Sequence, residues 1–111
     1  MKDVKIFLEH IIESIDLLEK YLKNVKKEEF LKSTMKQDLA VRRIEVIGEA
    51  VKNIPSSFKA KYPEIEWKSI AGARDVLIHV YFNVDYDLVW GIINKDIPKL
   101  KRDLKIILKN L

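Results

Sequence analysis

The sequence contains no cysteine, which excludes disulfide bonds, thiol catalysis and cysteine-ligated metal sites. It has only three glycines and three prolines in 111 residues, so few positions interrupt regular structure. No run of about 18 apolar residues is present, and the first residues lead directly into a charged amphipathic stretch. These absences predict a cytoplasmic protein without a membrane span. The length suits one domain, expected to cover residues 1–111.

The basic excess of the sequence is concentrated near its C-terminus. The formal net charge is +4, and residues 95–111 carry all of it, with six basic and two acidic side chains. Residues 1–94 are neutral overall, with fifteen side chains of each sign. A polyanion would be attracted to the C-terminal segment, but lysines on the solvent face of an amphipathic helix give the same pattern. Charge alone therefore does not identify a nucleic-acid-binding protein.

Apolar residues recur at helical spacing through most of the chain. The first helix places seven of them at alternating steps of four and three, namely Val4, Leu8, Ile11, Ile15, Leu18, Leu22 and Val25. A second helix is predicted from about Phe30 to Ile54, where Pro55 ends it. A third is predicted from about Glu66 to Tyr81, with Trp67 as a core or interface aromatic. Gly72, in the interior of this third helix, predicts a close approach by another helix.

The remaining residues predict two further helices. Asp85 is expected to cap a fourth helix. This helix carries Trp90, which, like Trp67, is expected to be a core or interface aromatic rather than a base-stacking platform. Asp96 is expected to cap a last helix that has Pro98 in its first turn, where proline is tolerated. Because no alternating strand pattern appears, the sequence predicts an all-α, up-and-down bundle of four to five helices.

Few groups of residues in this sequence could perform catalysis. There is no glycine-rich phosphate loop, and the two histidines, His10 and His79, are far apart in sequence. The spacing of residues therefore indicates neither a metal site nor a nucleophilic triad, and we expect no metal and no organic cofactor. His10 follows Glu9 and precedes the apolar Ile11, which favours a solvated side chain.

One segment does concentrate chemically active side chains near the end of the third predicted helix. It contains Arg74, Asp75, His79 and Tyr81 among apolar residues. At about 100° per residue, Arg74 and Tyr81 are about 20° apart, and Asp75 shares the neighbouring face with His79. Arg74 and His79 are roughly 140° apart. Contact between those two requires a long arginine reach, a distorted helix end, or two copies of the segment across a symmetric dimer interface.

These residue types suit the cleavage of RNA without a metal. The reaction needs a base to deprotonate the ribose 2′-hydroxyl and an acid to protonate the leaving 5′-oxygen. Histidine, whose ordinary pKa is about 6.5, can take either role at neutral pH, and two copies of His79 in a dimer could divide them. Arg74 could hold the phosphate. An ordinary ion pair and a packed imidazole fit the same spacing, so both readings stay open.

The segment also resembles the signature of a known family. Arg74, His79 and Tyr81 match the pattern of an arginine, four residues, a histidine, one residue and a tyrosine in the HepT-like toxins of the HEPN superfamily. Asp75 fits the polar residue that usually follows the arginine. The resemblance covers nearly the whole chain, with supporting pieces at residues 47–50, 67–72 and 84–90.

Membership of that family implies an HEPN-like helical bundle and a metal-independent endoribonuclease that acts on RNA as a homodimer. The resemblance makes Arg74 and His79 catalytic, with Asp75 in support, in a cleft lined by both subunits. It also implies a partner, a minimal nucleotidyltransferase (MNT) antitoxin, which transfers AMP from ATP to Tyr81. An adenylate there would place negative phosphates beside Arg74 and exclude RNA.

Two other functions remain compatible with the residues. A non-catalytic helical module could bind nucleotide or RNA for a nucleotidyltransferase partner, in which case the motif would hold a phosphate without breaking it. A purely structural dimerisation partner would depend on its apolar stripes rather than on Arg74 and His79. Cleavage that requires both of these residues distinguishes the ribonuclease from the other two.

Overall fold

The computed structural model describes the backbone of residues 2–79 and 84–111 and the side chains of residues 4–73 and 84–111. Within these ranges the chain is helical and contains no strand, which confirms the predicted all-α fold. The elements follow in the order α1 (Lys2–Tyr21), α2 (Lys27–Lys32), α3 (Thr34–Lys52), α4 (Ser56–Lys59), α5 (Trp67–His79), α6 (Tyr86–Gly91), a π-helical turn (Ile92–Asp96) and α7 (Ile97–Lys109).

Helix α1 supplies the centre of the core. Its predicted apolar stripe is buried from Val4 to Leu22, and it packs against α3 and α7. Those two helices contribute further fully or nearly fully buried residues, among them Ala40, Ile44, Ile47, Val51, Leu100, Leu104 and Ile107. Each large apolar side chain buried in this way stabilises the fold by about 1.5–3 kcal/mol. No helix in the described part of the chain is long and apolar enough to cross a bilayer.

The single second helix predicted for residues 30–54 is wrong, because the chain breaks at Ser33. The backbone of Ser33 is extended, and its Oγ accepts a hydrogen bond from the amide of Lys36 at 3.2 Å, which caps α3. The side-chain amide of Gln37 donates a bond of 3.1 Å to the carbonyl of Phe30. These polar side chains add hydrogen bonds to backbone groups at the two helix ends, where partners within the helix run out.

The C-terminal part of the chain is one continuous helical rod made of α6, the π turn and α7. Asp96 has helical dihedral angles and makes no capping bond through its side chain, so the prediction that it starts a separate helix is wrong. In a regular α-helix the ring of Pro98 would collide with the carbonyl of Asn94. The π turn widens the helix immediately before Pro98, which lets the rod continue.

A partly buried cation joins this rod to α1. Lys101 Nζ lies 2.8 Å from Asp16 Oδ1 and 2.7 Å from Glu19 Oε1, and the lysine side chain is only 22% exposed. Hydrogen bonds to Asp16 and then to Glu19 raise the pKa of Lys101 above its ordinary value, because they favour the charged ammonium. The two helices are therefore held together by a charged contact beside the apolar core.

Candidate functional site

Helix α5 carries the motif that the sequence singles out. It runs from Trp67 to His79, so Arg74, Asp75 and His79 all lie in its C-terminal half, as the periodicity predicts. Their side chains are outside the described part of the structure. Tyr81, the predicted site of modification, lies outside the described residues altogether. The described structure therefore defines the site through the position of α5 and through the residues that fix the chain before and after the motif.

The first residue of α5 is fixed to the connection that precedes it. Trp67 is buried, and its indole Nε1 donates a hydrogen bond of 3.1 Å to the carbonyl of Tyr62. Its backbone amide donates a second bond, of 2.9 Å, to the carbonyl of Ile65. Trp67 is thus a core residue, as predicted, and it sets where the motif helix begins.

The chain is fixed again soon after the motif, at the start of α6. Asp85 Oδ1 accepts hydrogen bonds from the amides of Asp87 and Leu88, both at 3.1 Å, which confirms the predicted N-cap. Asp87 in turn forms an ion pair of 2.9 Å with Lys27. The far flank of the motif is therefore attached to α2 as well as to the rod.

Aromatic packing strengthens this attachment. The fully buried ring of Phe30, in α2, lies with its centroid 5.2 Å from that of Trp90 and 6.4 Å from that of Tyr86. Both distances are within the range of favourable aromatic pairs. Trp90 is thus partly buried and packed against the core rather than part of an exposed base-stacking surface.

Helix α5 packs mainly against α3 through its small and apolar residues. Ile70, Ala71 and Ala73 are partly buried against the core. Gly72 is not at the contact, since a Cβ built there meets no described heavy atom within 4 Å. The close approach predicted at Gly72 is therefore not made by any helix in the described part of this chain, and the alanines supply the small packing surface against α3 instead.

A cavity of about 360 Å³ lies beside α5, and we call it the α5 cavity. Its apolar wall comes mainly from α3, α5 and the rod, and it reaches Ala73, the residue immediately before Arg74. The π turn lines it through Ile92 and Asp96, and π-helical turns frequently occur at functional sites. Sequence reasoning missed this cavity because only Pro98 hints at the π turn.

The charged groups around the α5 cavity are mostly acidic. Glu66, Asp96 and Asp103 line it, and the lysine among them, Lys99, forms an ion pair of 3.0 Å with Asp103. Among the residues whose side chains are described, no group of histidines and carboxylates is arranged to hold a metal ion. The other histidine, His10, is exposed on α1, as predicted for a solvated residue.

Comparison with known proteins identifies the class to which the chain belongs. The family described as Ribonuclease HepT-like matches residues 11–107, a range that contains all of α5. The chain belongs to this family of ribonuclease HepT-like proteins. No solved structure gave a match.

Individual relatives are similar along almost the whole chain. A protein of Caldanaerobacter subterraneus named as a "Putative RNase" is 43% identical over 109 residues, which are 98% of this chain and 97% of the relative. The "Probable ribonuclease HepT" of Thermococcus cleftensis is 45% identical over 97 residues, 87% of this chain and 88% of its own length. A Methanocaldococcus jannaschii protein named "Gamma-glutamylcyclotransferase and putative RNase" is 51% identical over 110 residues, and this chain spans 50% of its length.

Proposed function

We propose that this protein is a metal-independent endoribonuclease and the toxin of a HEPN/MNT toxin–antitoxin pair. The observation that carries the proposal is the family match over residues 11–107, which includes a helix bearing Arg74 and His79 at the family's spacing. The names of the relatives support ribonuclease chemistry in particular. Arg74 and His79 are proposed as the catalytic residues.

The chemistry follows from the residue types. His79 of one subunit takes the proton of a ribose 2′-hydroxyl, and the freed oxygen attacks the adjacent phosphorus. The bond from phosphorus to the 5′-oxygen breaks, and that oxygen takes a proton from the second His79. The products are a 2′,3′-cyclic phosphate and a 5′-hydroxyl end. Arg74 stabilises the negative charge on the phosphate, and Asp75, four residues before His79, orients its imidazole.

A homodimer is part of the proposal, because the division of the two proton transfers between histidines brings both copies of His79 into one cleft. Positions 72 and 79 are two helical turns apart and therefore share a face of α5. Beside Gly72 that face has no described neighbour within 4 Å, which leaves room for RNA or for a second copy of α5. The hydrogen bonds of Trp67 and Asp85 support the same proposal, because they fix the chain before and after the motif in each subunit.

The proposed control of the toxin is covalent. An MNT antitoxin transfers AMP from ATP to the hydroxyl of Tyr81, with pyrophosphate as the leaving group. Each adenylate adds a negative phosphodiester two residues beyond His79, where it would compete with the RNA phosphate for Arg74. Modified protein is then inactive because its phosphate site is already occupied.

The test is cleavage of labelled RNA by purified protein in the presence of a chelator. Intact-mass analysis first confirms that the protein carries no adenylate. Arg74→Ala and His79→Ala should lose about a hundredfold or more in rate, whereas the matched control His10→Ala should retain the parental rate. Cleavage that survives both motif substitutions would overturn the proposal. RNA binding without cleavage by unmodified parent would favour the non-catalytic binding module.

A further inference from the structure

The cations near the C-terminus fall into two groups that differ in their partners. Lys101 is held by the carboxylates of Asp16 and Glu19, and Lys99 is held by Asp103. Four other cations are exposed and have no ion-pair partner among the residues whose side chains are described, namely Lys95, Arg102, Lys105 and Lys109. We call these four the basic stripe.

The basic stripe follows one side of the helical rod. Arg102, Lys105 and Lys109 are separated by three and four residues, which places neighbouring Cβ atoms about 5–6 Å apart on one helix face. Lys95, in the π turn, precedes Arg102 by seven residues, so the stripe extends for about 21 Å. The core side of the same rod lies opposite, at Ile97, Leu100, Leu104 and Ile107.

Local helix electrostatics accounts for only one end of the basic stripe. Lys109 lies in the last turn of α7, where the partial negative charge of the helix terminus stabilises a cation. That effect fades within a turn, so it does not reach Arg102 or Lys95. Like charges three and four residues apart repel each other, which makes the stripe unfavourable in the isolated chain. A bound polyanion would remove this repulsion.

We infer that the basic stripe binds the phosphate backbone of the RNA substrate away from the point of cleavage. This inference rests on the proposed ribonuclease function. Lys99 and Asp103, on the neighbouring side of α7, line the α5 cavity, whose other wall ends at Ala73 beside the motif. The basic stripe therefore lies on the same rod that borders the α5 cavity, where a strand that extends beyond the motif could reach it. Contacts of this kind position RNA without reading its sequence.

The structure favours RNA over a membrane surface as the partner of this face. A helix that lies on a membrane buries its apolar side in the lipid and keeps its cations on the polar side. The apolar side of α7 is already buried in the core of the protein, through Leu100, Leu104 and Ile107. Apart from the exposed Ile106, the face of the basic stripe offers mainly charged contacts, which match the regular phosphates of a nucleic acid.

The experiment measures RNA binding separately from cleavage. The probe is a fluorescein-labelled oligouridylate of about 20 nucleotides, and the background is full-length His79→Ala protein, so that the probe stays intact. Glutamine replaces all four cations of the basic stripe in one variant. The matched control replaces four exposed lysines that lie outside the rod and have no described ion-pair partner, namely Lys23, Lys26, Lys32 and Lys61. Both variants lose four charges, and circular dichroism checks that both fold.

Fluorescence anisotropy at salt concentrations from about 50 to 200 mM gives the affinity and its salt dependence. The affinity of the stripe variant for the probe should be lower by about tenfold or more. Its slope of log affinity against log salt should become shallower by up to about 3, whereas the control variant keeps most of the parental slope. Equal losses of RNA affinity in both variants would overturn the inference. A stripe variant that loses binding to anionic vesicles but keeps its binding to RNA would also overturn it. Cleavage that depends on Arg74 and His79, together with unchanged RNA binding by the stripe variant, would overturn this inference and leave the proposed function standing.

Discussion

The indole Nε1 of Trp67 donates a hydrogen bond to the backbone carbonyl of Tyr62 at a distance of 3.1 Å. This bond joins the long connection after α4 to the first residue of the helix that carries Arg74 and His79. Trp67 is also buried, so it contributes apolar area to the core at the same point. The position of the motif helix therefore depends on one aromatic side chain with two roles, and substitution can separate them.

Replacing Trp67 with phenylalanine should keep an aromatic ring in the core and remove the hydrogen bond. We expect the free energy of unfolding to fall by about 0.5–1.5 kcal/mol, the net contribution of one hydrogen bond, because the carbonyl of Tyr62 still accepts a bond from the amide of Ile65. Urea denaturation measures the change. The control is Trp90→Phe, which loses a similar ring area but no described hydrogen bond. Equal losses in the two variants would show that the bond itself contributes nothing.

The contact of Lys101 with Asp16 and Glu19 predicts a specific dependence of stability on pH. Lys101→Met should lower the free energy of unfolding by about 0.5–1 kcal/mol near neutral pH, whereas Lys105→Met, at an exposed lysine without a described partner, should change it little. Because folding raises the pKa of Lys101, its contribution is fully present below the ordinary lysine pKa of 10.5 and is lost as pH rises through the higher folded value.

Chemical denaturation at a series of pH values tests this prediction. The difference between the parent and Lys101→Met should stay constant up to about pH 9.5 and shrink above the ordinary lysine pKa. A difference that grows with pH, or one that is matched by Lys105→Met, would contradict the role given to this contact.

The open surroundings of Gly72 predict that alanine is accepted there. Gly72→Ala should raise the free energy of unfolding of the isolated chain by about 0.5–1 kcal/mol, since alanine favours the helix and no described atom lies within 4 Å of the new Cβ. Gly91→Ala, in the rod, should behave alike because its Cβ also meets open space. Thermal unfolding at low protein concentration measures both. Destabilisation by Gly72→Ala alone would indicate a close neighbour on that side of α5.

Tyr81→Phe should keep its activity and escape control by the antitoxin. Phenylalanine lacks the hydroxyl that accepts AMP, but it leaves Arg74 and His79 unchanged. Coexpression with an MNT antitoxin, followed by intact-mass analysis, should detect AMP on the parent and none on the variant. An adenylate on the variant would place the modification at another residue.

Periodicity alone predicts the parts of the fold that depend on apolar burial. The stripe of α1 from Val4 to Leu22 and the helix around the motif both follow from spacing, because burial selects one face of a helix. The positions at which helices end or continue are harder to predict from the sequence. Ser33 and Asp96 are both good capping residues, yet only Ser33 caps a helix, because the π turn before Pro98 lets the rod run through Asp96.

The candidate site also has parts that the sequence predicts and parts that depend on tertiary packing. Arg74, Asp75 and His79 were identified from their residue types and from the resemblance to a family, and the helix that carries them was predicted correctly. The α5 cavity could not be predicted, since it depends on how α3, α5 and the rod meet rather than on any one segment. The unpaired state of the basic stripe is likewise a tertiary property, because the acids that hold Lys101 are on α1.

The most direct measurement of the central claim is the chemistry of the cleaved ends. Unmodified protein is incubated in chelator with an RNA oligonucleotide and with the same oligonucleotide carrying a 2′-deoxyribose at the mapped cleavage position, and the products are analysed by mass spectrometry. The account predicts a 2′,3′-cyclic phosphate and a 5′-hydroxyl from the RNA, no cut at the deoxyribose, and no cut by His79→Ala. Cleavage that requires added Mg²⁺, leaves 5′-phosphate ends or proceeds at the deoxyribose would contradict it.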